Sequence, residues 1–371
     1  MGYNDLVLLM PQQSSMYNGI HNVYSDMVDG FRELGVYPCV VEIRSRTLGD
    51  SKFTPEFDLQ HVEIDEIDTY FEGDASVLTI DDHSLLRHIY RRRIRPWNTL
   101  IWAQYFFGSR FFFKEYRETG SESSLIPKVK HKASGLIPST IYNYIARWYT
   151  ETLRESNLFA QSLWTSLLLN RTYGLRCQGV IYLPVDSKWY NFPLNSKRER
   201  RVLIFFGDPL DTNLRQLTHT VELLNYTFPD VQYTGFGNAN QARVWENMSG
   251  RKIDFLSSIP RTQLSELLNS SIFTICPVFN GNFEKVPIES LLVGTPVISY
   301  AQPFIEVTGE SNLIANILND IEVQKKANDW FSGDLQLERE RIRQRILSVM
   351  DSKKVACDIL RAMKWSTSNL K

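Results

Sequence analysis

The sequence predicts an α/β protein built from two tandem doubly wound, Rossmann-like domains facing each other across a cleft. Three observations carry that prediction. The chain is 371 residues long, which at roughly 100–200 residues per domain suggests two domains, each able to bury its own core. Its opening reads strand, loop, helix, strand. After residue 201 short apolar runs alternate regularly with stretches of helical periodicity. The composition, 43% apolar and 22% charged, excludes disorder, collagen-like repeats and coiled coil.

Taken in order, Leu6–Met10 is an apolar run ended by Pro11, and a polar loop then reaches Gly19. Val23, Met27, Val28, Phe31 and Leu34 recur at helical spacing, and Gly35 stops that helix. Tyr37–Val41, Val77–Ile80, Thr99–Trp102 and Val180–Leu183 are the further strands expected in this half. Pro184 and the polar run Asn195–Arg201 interrupt the pattern and read as a linker. Beyond it the expected strands are Val202–Phe206, Val231–Thr234, Ile253–Leu256, Ile272–Cys276 and Pro296–Ser299. The helices between them centre on Leu214–Leu224, Thr262–Leu268 and Val286–Val293, and Gly235-Phe236-Gly237 follows the second strand. From Ile321 to Lys371 the chain reads as helices anchored by Trp330 and Trp365. The expected boundaries are thus a first domain over 1–195, a second over 196–345, and a tail over 346–371 that packs back on the first.

The 41 Lys+Arg and 42 Asp+Glu nearly cancel, so whole-chain charge calls for no polyanionic partner. Cys39, Cys177, Cys276 and Cys357 lie too far apart for a CxxC metal or redox site and read as reduced, buried thiols. Met1–Pro11 lacks the basic start and long apolar core of a signal peptide, and no stretch reaches the ~18 apolar residues of a membrane span. The expectation is a cytoplasmic protein. No Gly-x-Ser-x-Gly, P-loop or His-Glu-x-x-His pattern occurs.

One region departs from this evenness. Between Asp81 and Thr150 twelve basic residues stand against five acidic ones, interleaved with Trp97, Trp102, Tyr105, Phe106, Phe107, Phe111, Phe112, Phe113 and Trp148. Such interleaving in residues 87–148 suits an anionic membrane surface, a lipid-linked substrate or, less readily, a nucleic acid; a solvated basic helix beside an aromatic-rich core reads equally well. Asp81-Asp82-His83 follows a strand. Its acids read as loop or cap residues rather than metal ligands, while His83 and His21 lie at strand or loop ends where a ligand would bind.

The most informative stretch runs from Cys276 to Val297. A strand ends at Pro277, a loop containing Gly281, Asn282 and Phe283 turns, and after Glu284 a helix begins near Lys285 and Val286. Its first amides form an anion site, and Glu289 lies about one turn in, where a carboxylate can take two ribose hydroxyls. In Phe283, Pro287, Glu289, Gly294, Pro296 and Val297, in order and spacing, the stretch resembles the C-terminal signature of retaining, glycogen-synthase-like GT-B glycosyltransferases. Val231–Gly237, Ile253–Leu267, Asn18-Gly19-Ile20, and Ser162–Arg171 followed by Val180–Asp186 are similar to other parts of that class, and Glu306 falls where its second acidic residue usually does.

The resemblance implies transfer of a sugar from a nucleoside-diphosphate sugar to a glycan or lipid-linked acceptor held by the first domain. It implies retention, no metal and no permanently bound cofactor. Glu289 would hold the ribose, Gly19 and Gly207 would let backbone approach phosphate, and Lys285 with Arg215 would supply positive charge. The chain departs from the class at three places. Gly281 stands where a Glu is usual, Gly207–Asn213 lacks the usual Arg and Lys, and Gln104 replaces a pocket His. Gln104 and His83 remain the first-domain candidates for the catalytic pocket. The departures keep open a catalytically impaired GT-B binding protein, and the basic region keeps open a DNA or modified-base glycosyltransferase.

Overall fold

The computed structural model describes residues 6–11, 19–44, 58–72, 75–81, 83–94, 99–103, 139–194, 198–207, 212–257, 259–278, 284–300, 302–332 and 335–363. Described residues up to Asp186 and from Val349 onward form one compact unit, and Ser187–Ser348 form another.

The first unit holds strands β1 (Leu6–Pro11), β2 (Cys39–Arg44), β3 (Leu59–Glu63), β4 (Ser76–Ile80), β5 (Thr99–Ala103), β6 (Asn157–Ala160) and β7 (Gly179–Val180). They pair in parallel in the order β3-β2-β1-β4-β5-β6-β7. Between them run α1 (Gly19–Glu33), α2 (Asp68–Glu72), α3 (His83–Arg92), α4 (Ser139–Arg154) and α5 (Leu163–Tyr173). β1, β4 and β5 are buried without alternation, as expected of central strands in a parallel sheet covered on both faces. Val7, Leu9, Val41, Val77, Leu85 and Ile89 are among the side chains that fill one face. Past the end of α1, Gly35 takes a φ of 75°, a conformation a Cβ would strain.

The second unit alternates strictly: β8 (Glu199–Phe206), α6 (Leu214–Thr227), β9 (Gln232–Gly237), α7 (Ala239–Ser249), β10 (Asp254–Leu256), α8 (Arg261–Ser270), β11 (Ser271–Cys276), α9 (Lys285–Leu292), β12 (Val297–Ser299), α10 (Gln302–Thr308) and β13 (Ile314–Asn316). Helices α11 (Asp320–Ser332) and α12 (Gln336–Met350) follow. The parallel order is β10-β9-β8-β11-β12-β13. Trp330 is the expected anchor: its ring packs on Phe273 at 5.4 Å, Phe331 stacks on Phe228 at 4.0 Å, and the Trp330 indole donates to the Asn312 carbonyl at 2.6 Å. Trp365 lies outside the described residues.

Two expectations change. Val180–Leu183 is a strand only over Gly179–Val180, because after Ile181 the chain turns to a second partner. The Val185 amide donates to the Met350 carbonyl at 2.8 Å and the Ser352 amide to the Val185 carbonyl at 3.1 Å. The run Asn195–Arg201 is not simply a linker. Arg200 and Arg201 already belong to β8, and the partly buried Arg198 donates to the carbonyls of Asn269, Ser271 and Val293 and to Thr295 Oγ1. Burial and the like charge of Arg339 pull Arg198 down to about 9, so it remains a cation at neutral pH.

The last helix, α13 (Ser352–Ala362), lies against α1 in the first unit. The contact is so close at Gly30 that a Cβ there would stand 2.1 Å from the Ser352 carbonyl oxygen. In an exposed helix Gly→Ala stabilises by about 0.5–1 kcal/mol. Here the backbone clash reverses the sign, and we expect Gly30→Ala to cost about 1–3 kcal/mol in chemical denaturation of the first unit.

Candidate functional site

Parallel sheets gather helix N-termini at the carboxyl ends of their strands, and a binding crevice opens where the strand order reverses. In the second unit that reversal lies between β8 and β11. The loops leaving these strands are stitched together there. Thr212 bridges Val278, and the Asn213 amide donates to the Pro277 carbonyl at 2.8 Å. Asn213 also caps α6 through its side-chain oxygen, 3.0 Å from the Gln216 amide, while its Nδ2 donates to the Tyr300 hydroxyl at 3.1 Å. Burial pushes the Tyr300 phenol up to about 12, so it stays protonated. Gly207 lies where the loops come closest: a Cβ on it would meet Val278 Cγ2 at 2.6 Å.

Helix α9 follows β11 in the chain, with Glu284 at its N-cap making no side-chain cap, and all eight of its residues are buried. Lys285 is its first residue and only 8% exposed; Val286 and Pro287 complete the first turn. Arg215, second residue of α6, is exposed. The sequence motif's backbone logic is visible at the far end of α9. Gly294 takes a φ of 74°, Thr295 donates to the Leu268 carbonyl at 2.6 Å, and β12 begins at Val297.

Glu289 differs from its expected setting. A carboxylate that takes two ribose hydroxyls calls for an accessible position, yet Glu289 is 2% exposed, because α9 is packed between α8, β11 and β12. Its Oε1 accepts a 2.5 Å hydrogen bond from the Tyr190 hydroxyl. Arg261, first residue of α8, donates from both Nε and Nη2 to that same phenol oxygen at 3.3 Å. The guanidinium lies over the Trp189 ring at 5.2 Å and the Tyr190 ring at 5.5 Å.

In the first unit the order reverses between β1 and β4. Gly19 opens α1 after β1, and His83 opens α3 after β4. Tyr24 and Thr79 both donate to the Leu9 carbonyl, at 2.7 and 3.1 Å, bracing the end of β1. Asp81 is buried and accepts from the Tyr149 hydroxyl at 2.9 Å. Among the described residues no group of three or more His, Cys, Asp or Glu could hold a metal. Asp82, Gln104, Gly281, Asn282 and Phe283 lie outside the described residues, as does most of the basic and aromatic region. Cys276 is fully buried, which pushes its thiol well up and suits a packing role.

No protein-family model and no curated protein matches the sequence. Solved structures do match over nearly the whole chain. Sucrose-phosphate synthase from Thermosynechococcus elongatus superposes with a TM-score of 0.68 at 12% identity, covering 98% of this chain and 99% of that one. The fold is GT-B. AviGT4, a glycosyltransferase involved in avilamycin A biosynthesis, shares the GT-B fold with a TM-score of 0.60 at 13% identity, covering 97% of each chain. The S. aureus TarM G117R mutant, in complex with fondaparinux, α-GlcNAc-glycerol and UDP, shares it at 0.65 and 10% identity, covering 96% of this chain and 99% of that one.

Within the GT-B fold the second unit thus brings Gly207, Glu284, Lys285 and Val286 to one strand-order reversal, with Glu289 a turn beyond and Arg215 on the adjoining helix. Sequence reading missed Asn213, Tyr300, Tyr190 and Arg261. A Cβ at residue 207 would push the β8 loop off Val278. Gly207→Ala is expected to lower the melting temperature, read by thermal shift.

Proposed function

We propose that this chain is a glycosyltransferase that moves a sugar from a nucleoside-diphosphate sugar to a glycan or lipid-linked acceptor, with retention and without a metal. The observation that carries the proposal is the placement of Glu289 and the start of α9 at the β8/β11 reversal, inside the one stretch whose motif is specific. There the helix start and Lys285 stabilise the leaving diphosphate, with Arg215 nearby, and Glu289 takes the ribose hydroxyls. Gly207 admits the phosphates close to backbone. The first unit, with His83 and Gln104, receives the acceptor. UDP in the TarM complex supports a nucleotide donor, and its glycan ligands support a sugar acceptor.

A thermal-shift screen with UDP-, GDP-, ADP- and dTDP-sugars identifies the donor, since a ligand of the native state raises its stability. Transfer then persists in EDTA and gives the same anomeric configuration as the donor. A charged hydrogen bond is worth roughly 1.5–3 kcal/mol, so Glu289→Gln should weaken donor binding by about one to two orders of magnitude. Asp82→Asn should leave turnover unchanged. A chain in which Asp82→Asn is dead, Glu289→Gln is normal and a divalent ion is required would refute the assignment.

A second reading, attachment to an anionic membrane surface on the cytoplasmic side, is favoured by Arg87, Arg91, Arg92 and Arg93, all exposed on α3 and its end, with Arg147 exposed on α4. No helix among the described residues is long and apolar enough to cross a membrane. Each base near such a surface contributes about 1 kcal/mol. Replacing Arg91, Arg92 and Arg93 with Ser should therefore release the protein from phosphatidylserine-containing liposomes in flotation. Retention on the liposomes, or no binding by the parent, counts against it.

A further inference from the structure

We infer that Tyr190 is the positioning residue for Glu289 and that Arg261 acts on Glu289 through it. The inference rests on the reading of Glu289 as the ribose-binding carboxylate. Three segments meet here: the single 3-10 turn Ser187–Tyr190, the first residue of α8, and the middle of α9. Both Arg261 nitrogens donate to the phenol oxygen, and a guanidinium has nothing else to offer. The phenol oxygen is therefore the acceptor in that contact, and its one proton is left for Glu289 Oε1, 2.5 Å away. The donors run one way, from Arg261 to Tyr190 to Glu289.

Such a chain answers two needs of a buried carboxylate. It supplies a donor, without which burial is costly, and it brings a cation within reach of the negative charge without a direct ion pair. Trp189, with the Arg261 guanidinium 5.2 Å from its ring centroid, keeps the guanidinium plane in place. With Oε1 tied, the carboxylate holds one orientation, so ligand hydroxyls meet an acceptor whose ordering cost was met on folding. The relay therefore sets how strongly the protein distinguishes a ribose from a deoxyribose.

The test uses the full chain and titration calorimetry with UDP, GDP and ADP, each run beside its 2′-deoxy counterpart, and reads the pair that binds most tightly. The parent is expected to prefer the ribonucleotide by about tenfold, as one charged hydrogen bond implies. Tyr190→Phe should lose most of that preference while the deoxynucleotide binds nearly as before, and Arg261→Met should do so in part. A merely structural role would move both nucleotides together or neither. If Tyr190→Phe does not fold, Arg261→Met and the milder Arg261→Lys carry the same comparison. Glu289→Gln separates the two levels. If it leaves the preference intact, or no nucleotide binds the parent, the ribose reading fails and the relay falls with it. If Glu289→Gln abolishes the preference while Tyr190→Phe and Arg261→Met retain it, the relay alone is overturned.

Discussion

Because β8 pairs directly with β11 while the chain between them builds the opposite edge of the sheet, the loops that leave these two strands must diverge, and the space between them is fixed by backbone geometry. Everything at the candidate site hangs from that pairing. It brings the residues just before α6 against those just after β11. It also lets one residue, Asn213, tie a helix cap, the β11 loop and Tyr300 into a single joint. The closeness of the loops in turn dictates Gly207, since the joint leaves no room for a side chain at that point.

The second unit then handles buried charge by a consistent device. Three of its arginines are directed at main-chain carbonyls, several of them at helix ends where the macrodipole is negative. Arg198 takes the ends of α8 and α9, Arg343 takes the carbonyls of Leu292, Tyr190 and Phe192, and Arg339 takes that of Leu194. These contacts fasten Tyr190–Leu194 to the unit that holds Glu289. The turn carrying Tyr190 is thereby held on both sides, and a phenol placed by a short 3-10 turn can serve as a fixed donor.

Much of this fold could be read from the chain because its central strands are covered on both faces and so consist of unbroken apolar runs such as Leu6–Met10 and Ile272–Cys276. Edge and short strands escaped that reading. β3, Leu59-Gln60-His61-Val62-Glu63, is half polar, and β6 spans only four residues. The motif from Pro287 to Val297 was legible for a different reason: Gly294 needs a positive φ and Pro296 is restricted in its own φ, so the residues themselves announce the backbone. Tyr190 carries no such mark. It lies 99 positions from Glu289, and Arg261 lies 71 from Tyr190, so only the folded sheet brings the three together.

The setting of Lys285 fits the departures from the glycosyltransferase pattern. The loop after β8 lacks the usual Arg and Lys, and Gly281 stands where a Glu is usual, so the proposed reading assigns the positive charge near the reversal to Lys285 and to Arg215 on α6. An exposed cation at a helix N-terminus opposes the dipole by about 0.3–1 kcal/mol, and burial adds a desolvation cost. Lys285 occupies that position while almost wholly buried. A dianionic group bound at the same helix end would reverse both effects: the dipole and the lysine would attract the same charge, in a setting with little water to screen them. On the proposed reading, the attraction of this helix start strengthens as negative charge develops on a departing diphosphate, which is the form electrostatic catalysis takes.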